Sequence, residues 1–127
     1  MEWKEYIKQY RIKNRDKIRK QERERYANKT IEWKDAVVLK NKKRRIRLRI
    51  EAIKHYGGKC VCCGEKHIEF LCIDHINGGG NQHRKLLKTR SIGEWLYSHN
   101  YPKGFQVLCY NCNAAKSIYG KCPHQKI

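Results

Sequence analysis

FLCIDHINGGGNQHRKLL, Phe70–Leu87, sets an acid and an imidazole side by side directly before three glycines. Two Cys-x-x-Cys pairs bracket this stretch, Cys60–Cys63 upstream and Cys109–Cys112 downstream. A structural loop needs glycines but no adjacent Asp74–His75, and a metal knuckle needs cysteines but no such pair either. The thiolate pairs are the more specific signal. Two sulfurs three positions apart reach one ion when the chain turns between them, and Gly64 relieves that turn. Four sulfurs then complete a tetrahedron with no open position, the mark of a structural zinc. A redox Cys-x-x-Cys would want a βαβ setting that the sequence lacks. Cys60, Cys63, Cys109 and Cys112 are therefore the expected zinc ligands, with Cys62 passed over because it adjoins Cys63. Cys72 reads as a small buried side chain, and Cys122 with His124 as a tail rather than a second metal pair.

Closing the loop between Cys63 and Cys109 has a chemical consequence. It brings Asp74 and His75, at the end of one expected strand, beside Asn113, at the start of an expected helix. A carboxylate and an amide oxygen are hard donors suited to Mg²⁺ or Mn²⁺, which accept phosphate oxygens as further ligands. An imidazole next to them can take the proton of a water attacking that phosphate. Asp74 and His75 point to opposite sides of an ideal strand, so the strand must end or bend there. The glycines permit this. His83, followed by Arg84 and Lys85, is placed to meet the scissile phosphate or assist its leaving group. Lys116 lies one helical turn after Asn113. His55, His67 and His99 read as surface or packing histidines.

The partner follows from charge. The 127 residues carry a net +18. Residues 1–56 hold 20 lysines and arginines against 8 acids, net +12, and residues 57–127 hold 10 against 4, net +6. A solvated helix face mixes both signs, and KNKKRRIRLR (40–49) does not. Lys42, Lys43, Arg44, Arg45, Arg47 and Arg49, with Arg84, Lys85 and Lys116, are the expected phosphate contacts on a nucleic acid. No apolar run is long enough to cross a bilayer, and MEWKEYIKQY has no signal-peptide core, so a cytoplasmic location is expected.

Composition divides the chain into a basic helical region, 1–56, and a cysteine-bearing domain, 57–127. The first region reads as one helix over 2–27 and a second from Ile31 to Tyr56, broken at Ala27–Thr30, where Asn28 or Thr30 can cap, and stopped by Gly57–Gly58. The first helix has too few apolar residues to fold alone and is expected to order on a partner. Leu39, Ile46, Ile50 and Ile53 form a stripe on the second, suited to the core or to a homodimer. Beyond Lys59 the expected elements are a strand over 68–74, a glycine loop, and a turn or two of helix at 82–88. A helix capped by the Ser91–Glu94 box follows, then a strand over 105–109 and a helix ending at Gly120.

The pattern CVCCGE…CIDHINGGG…VLCYNCNAAK resembles the HNH, or His-Me finger, endonucleases, with the phage recombination endonuclease VII-like group nearest in arrangement. The match covers about Tyr56 to His124. It implies an α+β fold, a small zinc-stapled ββα-metal core preceded here by long basic helices. It also implies hydrolysis of DNA phosphodiester bonds, with His75 as general base, Asp74 and Asn113 holding one catalytic cation, and the four cysteines holding zinc. A phage or mobile-element origin, and hence a host-cell cytoplasm, is implied by the resemblance alone. Two readings without chemistry compete: a zinc-containing DNA-binding regulator, and an RNA-binding arm on a zinc knuckle. Both explain charge and cysteines, and both leave Asp74, His75 and Asn113 idle.

Overall fold

A computed structural model describes residues 2–125. By packing, the chain divides into two compact units, residues 1–40 and 41–127. The basic run from Lys42 to Arg49 belongs to the second.

In the first unit, α1 (Trp3–Lys13) and α2 (Arg15–Ala27) are followed by the start of α3 (Ile31–His55). The single helix expected over 2–27 is interrupted at Asn14, whose φ of −105° leaves the helical range. Its side-chain amide donates to the Tyr10 carbonyl at 2.9 Å, the local competition that makes Asn a poor interior residue. Trp3, Tyr6 and Tyr10 stack along one face of α1, with ring centroids 5.7 and 6.4 Å apart. Thr30 caps α3, its Oγ1 accepting from Trp33 N–H at 3.2 Å. No residue of 2–40 is buried.

The second unit is built on a two-stranded antiparallel sheet, β1 (Leu71–His75) against β2 (Phe105–Cys109), with α6 (Tyr110–Tyr119) following directly. The overall class is mixed α+β. Between the strands lie α4 (Gly80–Leu87) and α5 (Ile92–Ser98). β1 is shorter than expected, because Ile68–Phe70 forms a 3₁₀ turn instead of strand. The glycine stretch is only partly loop, since Gly80 already opens α4 behind a left-handed Gly79 at φ 84°. The capping box at Ser91 forms in both directions: Ser91 N–H donates to Glu94 Oε2 at 2.9 Å and Glu94 N–H to Ser91 Oγ at 3.3 Å.

The second half of α3 supplies Leu48, Ala52 and Ile53 to the core, beside Leu71, Leu96 and Val107. The stripe expected from Leu39 to Ile53 is thus turned: Leu39 and Ile46 are about half exposed, and only Ile53 is fully buried. The reason lies in Arg49. It sits on the inward side of α3 and donates from Nη2 to the Leu71 carbonyl and, at 2.7 Å, to the Tyr110 hydroxyl. Its guanidinium ties α3 to the first residues of β1 and α6, which removes it from the set of free phosphate contacts. Arg44 bonds Glu94 at 2.8 Å and Arg45 the Thr89 carbonyl at 3.2 Å, while Lys42, Lys43 and Arg47 stay exposed.

Where α3 crosses α5 the backbones nearly touch. A Cβ built on Gly93 would lie 3.0 Å from the Arg49 nitrogen and 3.1 Å from the Leu48 carbonyl carbon. Backbone cannot swing aside as a side chain can. Gly93→Ala should therefore lower stability by about 1–3 kcal/mol through overpacking, although alanine is the better helix former. An unchanged urea midpoint would show that this crossing has slack.

Candidate metal centres and reactive cleft

Among the described residues, two groups of ligand atoms are drawn together tightly enough to hold a metal. The first is Cys60, Cys63, Cys109 and Cys112, with all sulfurs within 4.8 Å of one another. Each Cys-x-x-Cys pair makes the same turn: Cys63 N–H points at Cys60 Sγ at 3.5 Å, and Cys112 N–H at Cys109 Sγ at 3.4 Å. At Cys60 burial raises the thiol pKa, but hydrogen bonds from the Cys63 and neighbouring amides outweigh it and lower the value to about 6. The sulfurs of Cys63 and Cys109 are 3.7 Å apart, close to the edge of about 3.8 Å of a tetrahedron with zinc–sulfur bonds of 2.3 Å. The donor set fits a structural zinc.

The second group is Cys62, Cys112, Cys122 and His124. Residues 121–125 are therefore not the loose tail expected. Cys122 is buried in the core cluster with Ile53, Leu71 and Val107. Two signals pointed to this group, the odd cysteine count and the three spare ligand-type residues 62, 122 and 124. Neither fixes a partner from sequence alone.

Asp74 and His75 lie at the end of the strand pair. In the antiparallel register Asp74 faces Gln106 and His75 faces Phe105. Alternation sends the two side chains to opposite faces. They nevertheless line one open cleft of about 1020 Å³, because β1 ends at His75 and the cleft wraps around that end. Asn77, Gly78–Gly80, His83, Arg84, Asn113 and Lys116 line it too.

His75 is held on several sides. Its ring lies 4.8 Å from Phe105, and Gly80 packs so close that an added Cβ would sit 3.3 Å from Nδ1. Nε2 shares a proton with His83 Nδ1 at 2.7 Å. With that proton on His75, Nδ1 keeps its lone pair beside Gly80 at the cleft wall. Burial holds the His75 pKa below the usual imidazole value, His83 adds to this, and Asp74 opposes it. His83 packs edge-on to Trp95 at 4.3 Å, and its Nε2 is buried without a partner. Sequence reasoning aimed His83 at the phosphate; its Nδ1 instead bonds His75.

Asp74 is already engaged. Its Oδ2 accepts from Gln106 Nε2 at 2.8 Å and from Lys116 Nζ at 2.5 Å. Lys116 also donates to the carbonyls of His75 and Ile76 at 3.1 and 3.2 Å. The lysine expected to reach for phosphate thus bridges α6 and the end of β1. Cys72, half-buried, donates its S–H to the Leu108 carbonyl at 3.3 Å. Of the other histidines, His55 stacks on Tyr101, His67 bonds Glu65, and His99 stacks on Trp95.

No family model matches the chain, and neither the curated proteins nor the solved structures yield a match. No helix is long and apolar enough to cross a membrane among the described residues.

Proposed function

We propose that the chain is a metal-dependent endonuclease of HNH type that hydrolyses DNA phosphodiester bonds. The observation that carries this reading is the single cleft that gathers Asp74, His75, His83 and Asn113 beside the cysteine cluster. An antiparallel strand pair, a helix that directly follows β2, and four clustered cysteines support the reading.

The site residues divide the work. His75, through Nδ1, accepts the proton of the attacking water. His83 positions that ring through its 2.7 Å bond to Nε2, and Phe105 and Gly80 fix its plane. Asp74 and Asn113 are the oxygen donors that would hold a magnesium or manganese ion. When bound, that ion would polarise the phosphate and stabilise the leaving oxygen. Arg84, exposed on the cleft wall, with Lys85, is free to take phosphate oxygens, as are Lys42 and Lys43 on α3, while exposed Arg47 lies 3.8 Å from the Glu51 carboxylate. Such contacts set affinity without reading sequence, so binding falls steeply with salt.

A second reading has one observation in its favour. Lys116 places an ammonium on the carboxylate that a catalytic cation would need, as a DNA-binding protein without chemistry could afford to do. Supercoiled plasmid separates the two. The enzyme converts it to nicked or linear form with Mg²⁺, gives no conversion when Mg²⁺ is omitted, and loses most activity in Asn113→Ala. Retardation of plasmid that stays supercoiled at every Mg²⁺ concentration would establish the binding protein instead.

A further inference from the structure

We propose that Cys62, Cys112, Cys122 and His124 hold a second zinc ion, joined to the first through a bridging Cys112 thiolate. Cys112 belongs to both ligand groups. The proposal concerns the scaffold and stands whether or not the cleft cuts DNA.

The geometry around His124 is the main argument. Its Nδ1 has three sulfurs about it: Cys122 at 3.2 Å, Cys112 at 3.4 Å and Cys62 at 3.9 Å. One ring nitrogen carries one proton or one lone pair, so it cannot satisfy three sulfurs by hydrogen bonding. Around a tetrahedral zinc, bonds of 2.3 Å to sulfur and 2.0–2.1 Å to nitrogen set each sulfur–nitrogen edge at about 3.5 Å. The three observed separations straddle that value. They describe a coordination polyhedron rather than a hydrogen bond.

The local chain explains how the ligands arrive. In the turn Cys60–Val61–Cys62–Cys63, the outer cysteines point to the first site and Cys62 to the second. Gly120, left-handed at φ 77°, ends α6 and turns the chain back so that Cys122 enters the core. The 3₁₀ turn Pro123–Gln125, closed by Gln125 N–H on the Cys122 carbonyl at 2.9 Å, then sets His124 beside Cys112.

Charge bookkeeping agrees. One dication on four thiolates carries a formal −2. Two dications on six thiolates and a neutral imidazole carry −2 as well, so the second ion neutralises the two thiolates it recruits. Each thiol releases its proton to solvent on binding. Cys112 is also the residue before Asn113. A bridging thiolate would fix the first turn of α6 from two sides, and with it Asn113 on the cleft wall.

The test is a metal count on the full chain. Native mass spectrometry after zinc reconstitution should give two ions per chain, and Cys122→Ala combined with His124→Ala should give one. In the cadmium-substituted protein the two metal resonances should split each other through the shared sulfur. One ion in the wild type, two ions retained in the double variant, or two cadmium resonances without mutual splitting would overturn the proposal. Should the double variant fail to fold, the wild-type count and the cadmium coupling still decide.

Discussion

His75→Ala should reduce plasmid nicking by a factor of about 10²–10⁴, the usual contribution of a positioned general base. That equals about 3–5 kcal/mol of transition-state stabilisation. The substitution removes a half-buried ring packed on Phe105 and Gly80, so the control is the zinc content and the near-ultraviolet dichroism of Trp95, both expected to persist. DNA affinity should hold, since the substitution removes none of the exposed lysines and arginines. His83→Ala leaves the base in place but frees its ring, and its loss should be smaller. A His75→Ala protein that cuts as fast as wild type would end the proposed chemistry at once.

The second large effect is expected from metal removal. Among the described residues the buried hydrophobic core is small, and four of its twelve residues are cysteines: Cys60, Cys109, Cys112 and Cys122. A unit of this size gains only a few kcal/mol from burial after conformational entropy is met. Structural zinc in small zinc-finger peptides supplies about 10–16 kcal/mol, as much as the whole net stability of a typical domain. Stripping zinc with a strong chelator should therefore unfold residues 41–127 rather than soften them. Dispersion of the amide resonances from β1, β2 and α6 should collapse together, and return on adding zinc. If those resonances keep their positions without metal, the apolar core alone carries the unit and the cysteines are incidental to its folding.

Features set by local chemistry were legible from residues alone. Cys-x-x-Cys spacing announced its two turns, Ser91 and Glu94 announced a helix start, and Gly57–Gly58 announced the end of α3. The strand at Phe105–Cys109 was legible behind the turn signal YPKG at 101–104. What escaped depends on neighbours distant in sequence. Arg49 looked like one more cation in a basic run, but the Leu71 carbonyl and Tyr110 hydroxyl lie 22 and 61 positions away. Lys116 pairs with a carboxylate 42 residues upstream. Ile46 was read as sharing a helical face with Ile53, but only Ile53 reaches the core against the sheet. The grouping of Cys62 with Cys122 and His124 needed Gly120 to turn the chain back, and a glycine marks a turn without saying what it will meet. Local rules foretell elements; only closure reveals which side chains become neighbours.

The lysine seated on Asp74 has a last consequence. Left unpaired, this mostly buried carboxylate would bear the cost of lost hydration until a dication came. Here an ammonium acts as resident counterweight, so the cleft can take its final shape with no dication in it, whatever the cysteine sites require. Any incoming dication must then trade places with a tethered charge that is never more than a side chain's length away, which makes occupancy of the cleft a balance between two cations rather than the filling of a hole.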